Sequence, residues 1–203
     1  LQHAFLLSPC VAGPTYRAAA LAPGRLVGCH RPLSQENVPA QPPTGVGLDG
    51  LRAAAAGCRA CELWEPATQT VFGEGPETAR VVFVGEQPGD QEDLQGRPFV
   101  GPAGKLLTRA MGEAGIDRSQ AYLTNAVKHF KFEQRGQRRI HAKPTAGEVK
   151  QSRPWLMKEL ELVRPKLVVA LGATAVLALT GKATPITRSR GRAQFGPYAG
   201  YVT

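Results

Sequence analysis

Two short runs of apolar, β-branched residues, each closed by a glycine, limit what this chain can fold into: Arg80-Val-Val-Phe-Val-Gly85 and Lys166-Leu-Val-Val-Ala-Leu-Gly172. Neither alternates polar with apolar residues, which is how strands buried on both faces of a parallel sheet read. Ala121-Tyr-Leu-Thr-Asn125 predicts a further strand. Between these runs the apolar period becomes helical. It predicts a short helix over 51–56, one from Gly101 to about Ala114, one over 145–163 and one over 173–180. Strand and helix alternate, so the class is α/β, with a mostly parallel sheet covered on both faces and binding loops at the carboxyl ends of its strands. Segments 85–101 and 125–144 leave those ends.

The 203 residues and 42% apolar content suffice for one globular domain with a core. No stretch approaches the roughly 18 apolar residues of a membrane-spanning helix, so no membrane partner is expected. Lysine and arginine number 25 against 16 acids, a net charge of +9, which makes a polyanion such as nucleic acid the leading partner class. Four cysteines are too few for a disulfide scaffold. Cys58 and Cys61 form a C-x-x-C pair, which points to metal or redox chemistry in a reducing compartment, so a cytoplasmic location is expected. Residues 1–50 carry seven prolines and six glycines with Glu36 and Asp49 as their only acids, and they read as a poorly ordered tail to a domain over 51–203. Arg17, Arg25 and Arg31 among alanines give the tail a weak likeness to an organelle transit peptide, although a misassigned start would look the same. Leu1 in place of methionine points to a processed chain or a fragment.

Two loops carry candidate chemistry. Segment 85–104, Gly85-Glu-Gln-Pro-Gly-Asp-Gln-Glu-Asp-Leu-Gln-Gly-Arg-Pro-Phe-Val-Gly-Pro-Ala-Gly104, packs acids, glycines and one aromatic between a strand end and a helix start. Glycine lets a backbone come close to a ligand, and a helix N-terminus offers free N–H groups to a phosphate or base carbonyl. On composition alone it is equally a solvated glycine loop whose acids cap helices. Residues 128–143 hold six basic residues, one acid and the rings of Phe130 and Phe132. Basic charge interleaved with aromatics suits nucleic acid, because cations neutralise phosphates while rings stack on unpaired bases. A solvated basic loop would share that composition.

In these loops Gly85-Glu-x-Pro-Gly89, Glu92-Asp93 and Gly96-x-Pro-Phe-Val-Gly-x-Ala-Gly104 resemble the first motif of the family 4 uracil-DNA glycosylases. Thr124-Asn-Ala-Val-Lys128 resembles the family's second strand end, and Arg153-Pro-Trp-Leu156 its following helix. The likeness covers residues 51–203. Gln87, where hydrolytic members usually carry a small residue, and Arg138-Arg-Ile-His141 resemble the UdgX branch, which bonds covalently to uracil-DNA. The fold implied is a three-layer α/β/α sandwich around a mostly parallel four-stranded sheet.

The resemblance implies a role for each residue. A base inside a duplex is out of reach, so such enzymes take it from single strands or flip it into a pocket. Phe99 would stack on uracil, Asn125 would pair with its Watson–Crick edge, and Gly89 would line the pocket. Glu86, with Asp90 beside it and Gln87 between them, would stabilise the oxocarbenium-like sugar. His141 would attack the sugar carbon where hydrolytic relatives use water. Arg138, Arg139, Lys128 and Lys131 would meet DNA, with Arg139 holding the loop against phosphate or acids. Arg188, Arg190 and Arg192 are equally DNA contacts or a solvated loop. Expected partners are uracil-containing DNA, with single strands preferred, and a monomeric state.

The family also carries a 4Fe–4S cluster. Cys58 and Cys61 fit its first ligand pair and His129 the third, whereas the fourth position holds Ser152, a poor ligand for a soft cluster, which puts occupancy in doubt. Cys10 and Cys29 fall outside the pattern and read as free thiols. The family continues from a strand like Tyr201-Val-Thr203 into a His-Pro-Ser motif and a last helix, and this sequence stops before them, so a C-terminal truncation is expected.

Overall fold

A computed structural model of the chain describes residues 39–203. The tail arginines Arg17, Arg25 and Arg31 and the thiols Cys10 and Cys29 lie outside the described residues. Helix α1 runs Leu48–Ala55, beginning three residues before the predicted start. Leu48 and Ala40 are buried, and the Ala40 N–H donates to the Gln151 carbonyl (2.9 Å), so residues 40–50 belong to the folded unit and not to a tail.

A single turn, Glu62–Trp64, precedes β1 (Val81–Gly85), and α2 (Asp90–Gln95) and α3 (Pro102–Glu113) follow it. Next come β2 (Ala121–Asn125), the strand pair β3 (Phe132–Arg135) and β4 (Arg138–His141), and α4 (Ala146–Val163). The chain continues through β5 (Leu167–Ala170), α5 (Ala173–Thr180), α6 (Ile186–Ser189), β6 (Gly191–Phe195) and β7 (Tyr198–Val202). Local chemistry sets the helix starts. Proline fits the first turn of α3 because its missing N–H would have no helical partner there, and at α4 Thr145 and Glu148 cap each other's backbone N–H groups.

The main sheet has the order β2-β1-β5-β7-β6, with the first four strands parallel and β6 antiparallel to β7. Successive side chains on a strand point to opposite faces. Val82 and Val84 of β1 therefore join Leu51, Leu156, Leu160 and Val176 of α1, α4 and α5 in one core. Phe83, between them, joins Leu123, Val169 and Met111 of α3 in the other. That is the expected three-layer sandwich, with five strands where four were predicted. Gly191-Arg-Ala-Gln-Phe195, whose Arg192 was read as lying in a loop, is the fifth. The stretch 125–144 is corrected as well: residues 132–141 form an antiparallel hairpin pairing Phe132 with His141 and Arg135 with Arg138. Its two-residue turn has Gly136 at φ +60°, the left-handed conformation that a type II′ turn requires at its first position. No helix among the described residues is long and apolar enough to cross a membrane.

Candidate active site

The loops meet where the parallel strands end. Gly85 closes β1 and pairs in register with Asn125 at the end of β2. A Cβ on Gly85 would lie 2.4 Å from Asn125 Oδ1 and 2.7 Å from Phe99 Cζ, so the bare glycine leaves the space that brings amide and ring together. Phe99 has φ +57°, a strained conformation for a side chain of this size. Two neighbours hold it there. Gly104 leaves room for the Phe99 carbonyl, which would sit 1.9 Å from any Cβ at that position. Arg118 donates to the carbonyls of Pro98 (3.3 Å) and Phe99 (3.4 Å). Asn125 is buried, and its carbonyl accepts from Lys128 Nζ (2.9 Å).

Glu86, one residue past β1, faces the hairpin: its Oε1 lies 3.3 Å from Nε2 of His141, with the two side chains 29% and 51% exposed. Its Oε2 accepts from the Thr174 hydroxyl (2.5 Å). Gln87 is buried and makes three hydrogen bonds to the base of the hairpin. Its Nε2 donates to the carbonyls of Lys131 (3.0 Å) and Ala142 (3.1 Å), and its Oε1 accepts from the Lys131 N–H (3.1 Å). Predicted beside the chemistry, Gln87 is instead the clamp that fixes the strand carrying His141.

Several other assignments change. Of the two partners expected for Arg139, phosphate or acids, the structure shows acids: its guanidinium binds Asp90 Oδ1 (2.7 Å) and the fully buried Asp93 Oδ2 (2.6 Å) and packs against the rings of Phe130 and Phe132. Asp90 is thereby engaged, whereas Glu86 faces His141. Gly89 caps α2, and its N–H donates to Glu92 Oε2 (3.1 Å), while Glu92 Oε1 accepts from Gly101 (2.8 Å), so this amide is occupied by the loop's own acid. Lys128 is buried against Glu159 Oε2 (2.5 Å) and Thr124 Oγ1 (2.6 Å), out of reach of DNA. Burial pulls its ammonium below the ordinary lysine value, and Glu159 opposes that pull. Lys131 is partly buried in an ion pair with Glu148 (2.9 Å). Arg138, Arg188, Arg190 and Arg192 are exposed cations with no ion pair among the described residues. Arg190 and Ala173 line a cavity of about 690 Å³ at the carboxyl ends of β5 and β7, adjoining Thr174.

The expected cluster ligands are close in the fold without converging. Cys58 Sγ accepts from Trp155 Nε1 (3.1 Å), three residues along α4 from the buried Ser152. His129 is buried with Nε2 on Thr70 Oγ1 (2.9 Å), and burial pushes it down to about 4. Burial pushes the Cys61 thiol up. Among the described residues no three Cys, His, Asp or Glu side chains are grouped to hold a metal ion. As placed, two thiols, one engaged imidazole and one hydroxyl do not fit a four-ligand iron–sulfur cluster.

Thr174, Arg118 and Glu159 escaped the sequence reading. Thr174 was open to discovery, since it follows a strand end where binding loops gather. Glu159 carries its own signal, an acid on the apolar face of α4 among Trp155, Leu156, Leu160 and Val163.

Known proteins place this geometry. Residues 72–201 match the family model described as the uracil DNA glycosylase superfamily. A type-4 uracil-DNA glycosylase of Sulfurisphaera tokodaii is 35% identical over 156 residues, covering 74% of this chain and 68% of the relative. One from Thermotoga maritima is 43% identical over 135 residues, 66% of this chain and 67% of the relative. A third, from Archaeoglobus fulgidus, is 41% identical over 128 residues, 63% and 61% respectively. With residues 72–201 matched to the family model and relatives of 35% and 43% identity, the chain belongs to the uracil-DNA glycosylase superfamily, an enzyme family, on the side of its type-4 members.

Proposed function

We propose that this protein excises uracil from DNA and keeps the sugar as a covalent adduct on His141. The observation that carries the reading is the 3.3 Å approach of His141 to Glu86 on a hairpin clamped by Gln87. Phe99 stacks on the base and Asn125 reads its edge, in a pocket where an unpaired polar group costs affinity. Single strands are the preferred substrate, because their bases need no extraction from a stack. Arg138, Arg188, Arg190 and Arg192 neutralise phosphates around the pocket.

The chemistry balances without a further reactant. The bond between the sugar C1′ and the base nitrogen breaks, and its electron pair leaves with uracil. The Glu86 carboxylate stabilises the positive sugar. An imidazole lone pair of His141 then bonds to C1′, and the ring's N–H proton passes to Glu86, leaving a neutral alkylated ring. Hydrolytic release, with water in place of the imidazole, is favoured by the names of the relatives, which are type-4 uracil-DNA glycosylases.

The test is to mix the protein with uracil-containing single-stranded DNA, boil it in detergent and run a denaturing gel. A shifted band is expected for the wild type, none with thymine DNA and none for His141→Ala. A band that survives His141→Ala overturns the nucleophile, and uracil release with alkali-labile DNA but no band selects hydrolysis. Asn125→Asp is expected to erode the preference for uracil over cytosine, measured as the ratio of kcat/KM values; an unchanged ratio removes Asn125 as the reader.

A further inference from the structure

We propose that Thr174 is a positioning residue that aims the Glu86 carboxylate at His141. The inference rests on the reading of Glu86 as the group serving the sugar. Its basis is a contact between segments far apart in sequence. β1 and β5 are adjacent parallel strands, so residues just past their ends are neighbours, and the Leu171 N–H donates to the Val84 carbonyl (2.9 Å) across that junction. Glu86 leaves β1 there, and Gly172, at φ +91°, turns the chain out of β5 into α5. Thr174, in the first turn of α5, is buried and donates its hydroxyl to Glu86 Oε2 (2.5 Å).

The placement explains why the hydroxyl is available. A threonine inside a helix usually bonds back to the carbonyl four residues earlier. For Thr174 that carbonyl belongs to Ala170, in β5, where it accepts from the Thr203 N–H (3.1 Å). The hydroxyl therefore turns to the carboxylate. With Oε2 held by Thr174, the remaining rotation of the Glu86 side chain is fixed and Oε1 is the oxygen presented to His141. Side chain, strand end and hairpin thus form the chain Thr174–Glu86–His141, in which each group orients the next, and an outer member matters because it holds the inner ones in productive geometry.

The experiment is a double-mutant cycle read under single-turnover conditions on uracil-containing single-stranded DNA, with adduct formation and uracil release followed together. Thr174→Val keeps the shape of the side chain and removes the hydroxyl. It is expected to slow the reaction by about 10- to 100-fold, the scale of loss for a reacting geometry displaced by up to about 1 Å, with the dissociation constant for DNA and the Tm unchanged. Thr174→Ser, which keeps the hydroxyl, is expected to restore the rate. In a Glu86→Gln background Thr174→Val is expected to add nothing, because its effect runs through the carboxylate. A Thr174→Val protein with the wild-type rate beside a disabled Glu86→Gln protein overturns this inference alone, as do effects that multiply in the double variant. A Glu86→Gln protein at the wild-type rate overturns the reading of Glu86, and the inference falls with it.

Discussion

Replacing Gly85 with alanine is expected to cut uracil excision by about 100-fold or more while leaving the fold intact. Gly85 lies outside the left-handed region, so its backbone accepts alanine without strain. The added methyl group meets the far ends of two side chains, Asn125 Oδ1 at 2.4 Å and Phe99 Cζ at 2.7 Å. Both must move, and movement of those ends is cheap for the chain but opens the gap between the Asn125 amide and the Phe99 ring, the pair proposed to hold the base. A displacement of about 1 Å in a reacting geometry costs on the order of 100-fold in rate. Single-turnover excision and a thermal melt check both halves. A variant that melts as the wild type and still excises at the wild-type rate would show that the base is bound elsewhere.

The second large effect lies behind the pocket. Glu159 and Lys128 are each 1% exposed, and the Glu159 carboxylate also accepts from the Gly73 N–H, the Tyr122 hydroxyl and the Thr124 hydroxyl, each at 3.0 Å. A fully partnered buried pair adds little net stability, yet breaking one strands a charge, at a cost of about 3–5 kcal/mol. Glu159→Ala is therefore expected to lose about that much in urea denaturation, against a total near 5–15 kcal/mol for a domain. The loss has a sign in pH. With Glu159 gone, nothing opposes the burial that lowers Lys128, so the folded protein holds that proton less tightly than the unfolded chain does. The stability of the variant then rises with pH from its lowered value up to the free lysine value of about 10.4, and its deficit against the wild type shrinks until the wild type's own, less lowered, Lys128 begins to titrate. A deficit independent of pH would mean that Lys128 has found water or another partner.

The parallel core was legible because it rests on local pattern: β1, β2 and β5 are dense apolar runs, and α3, α4 and α5 carry their own stop and start residues. The polar hairpin was not, because Arg135-Gly-Gln-Arg138 reads as a basic loop unless the single glycine is weighted as a turn. At the site, the resemblance placed Glu86, Phe99, Asn125 and His141 together, while it misread Lys128 and Lys131 as contacts for DNA and left Arg139 open between phosphate and acids. A count of charges cannot tell an exposed cation from one that another segment neutralises. Arg139 meets acids 46 and 49 residues away, and Lys128 meets one 31 residues away. Such pairings are decided by topology, and so is the bond from Thr174 to Glu86, 88 residues apart.

That topology also sets when the protein becomes reactive. The β3–β4 hairpin is local, ten residues from Phe132 to His141, and contacts of that kind form early, whereas parallel strands wait for long loops to close. The hairpin that carries His141 can thus close before the carboxylate it faces is in place. Glu86 and Thr174 meet only once β1 and β5 are zipped side by side. On the proposed reading, the contact that serves glycosidic cleavage therefore belongs to the slowly closing, long-range part of the fold and not to its local hairpin.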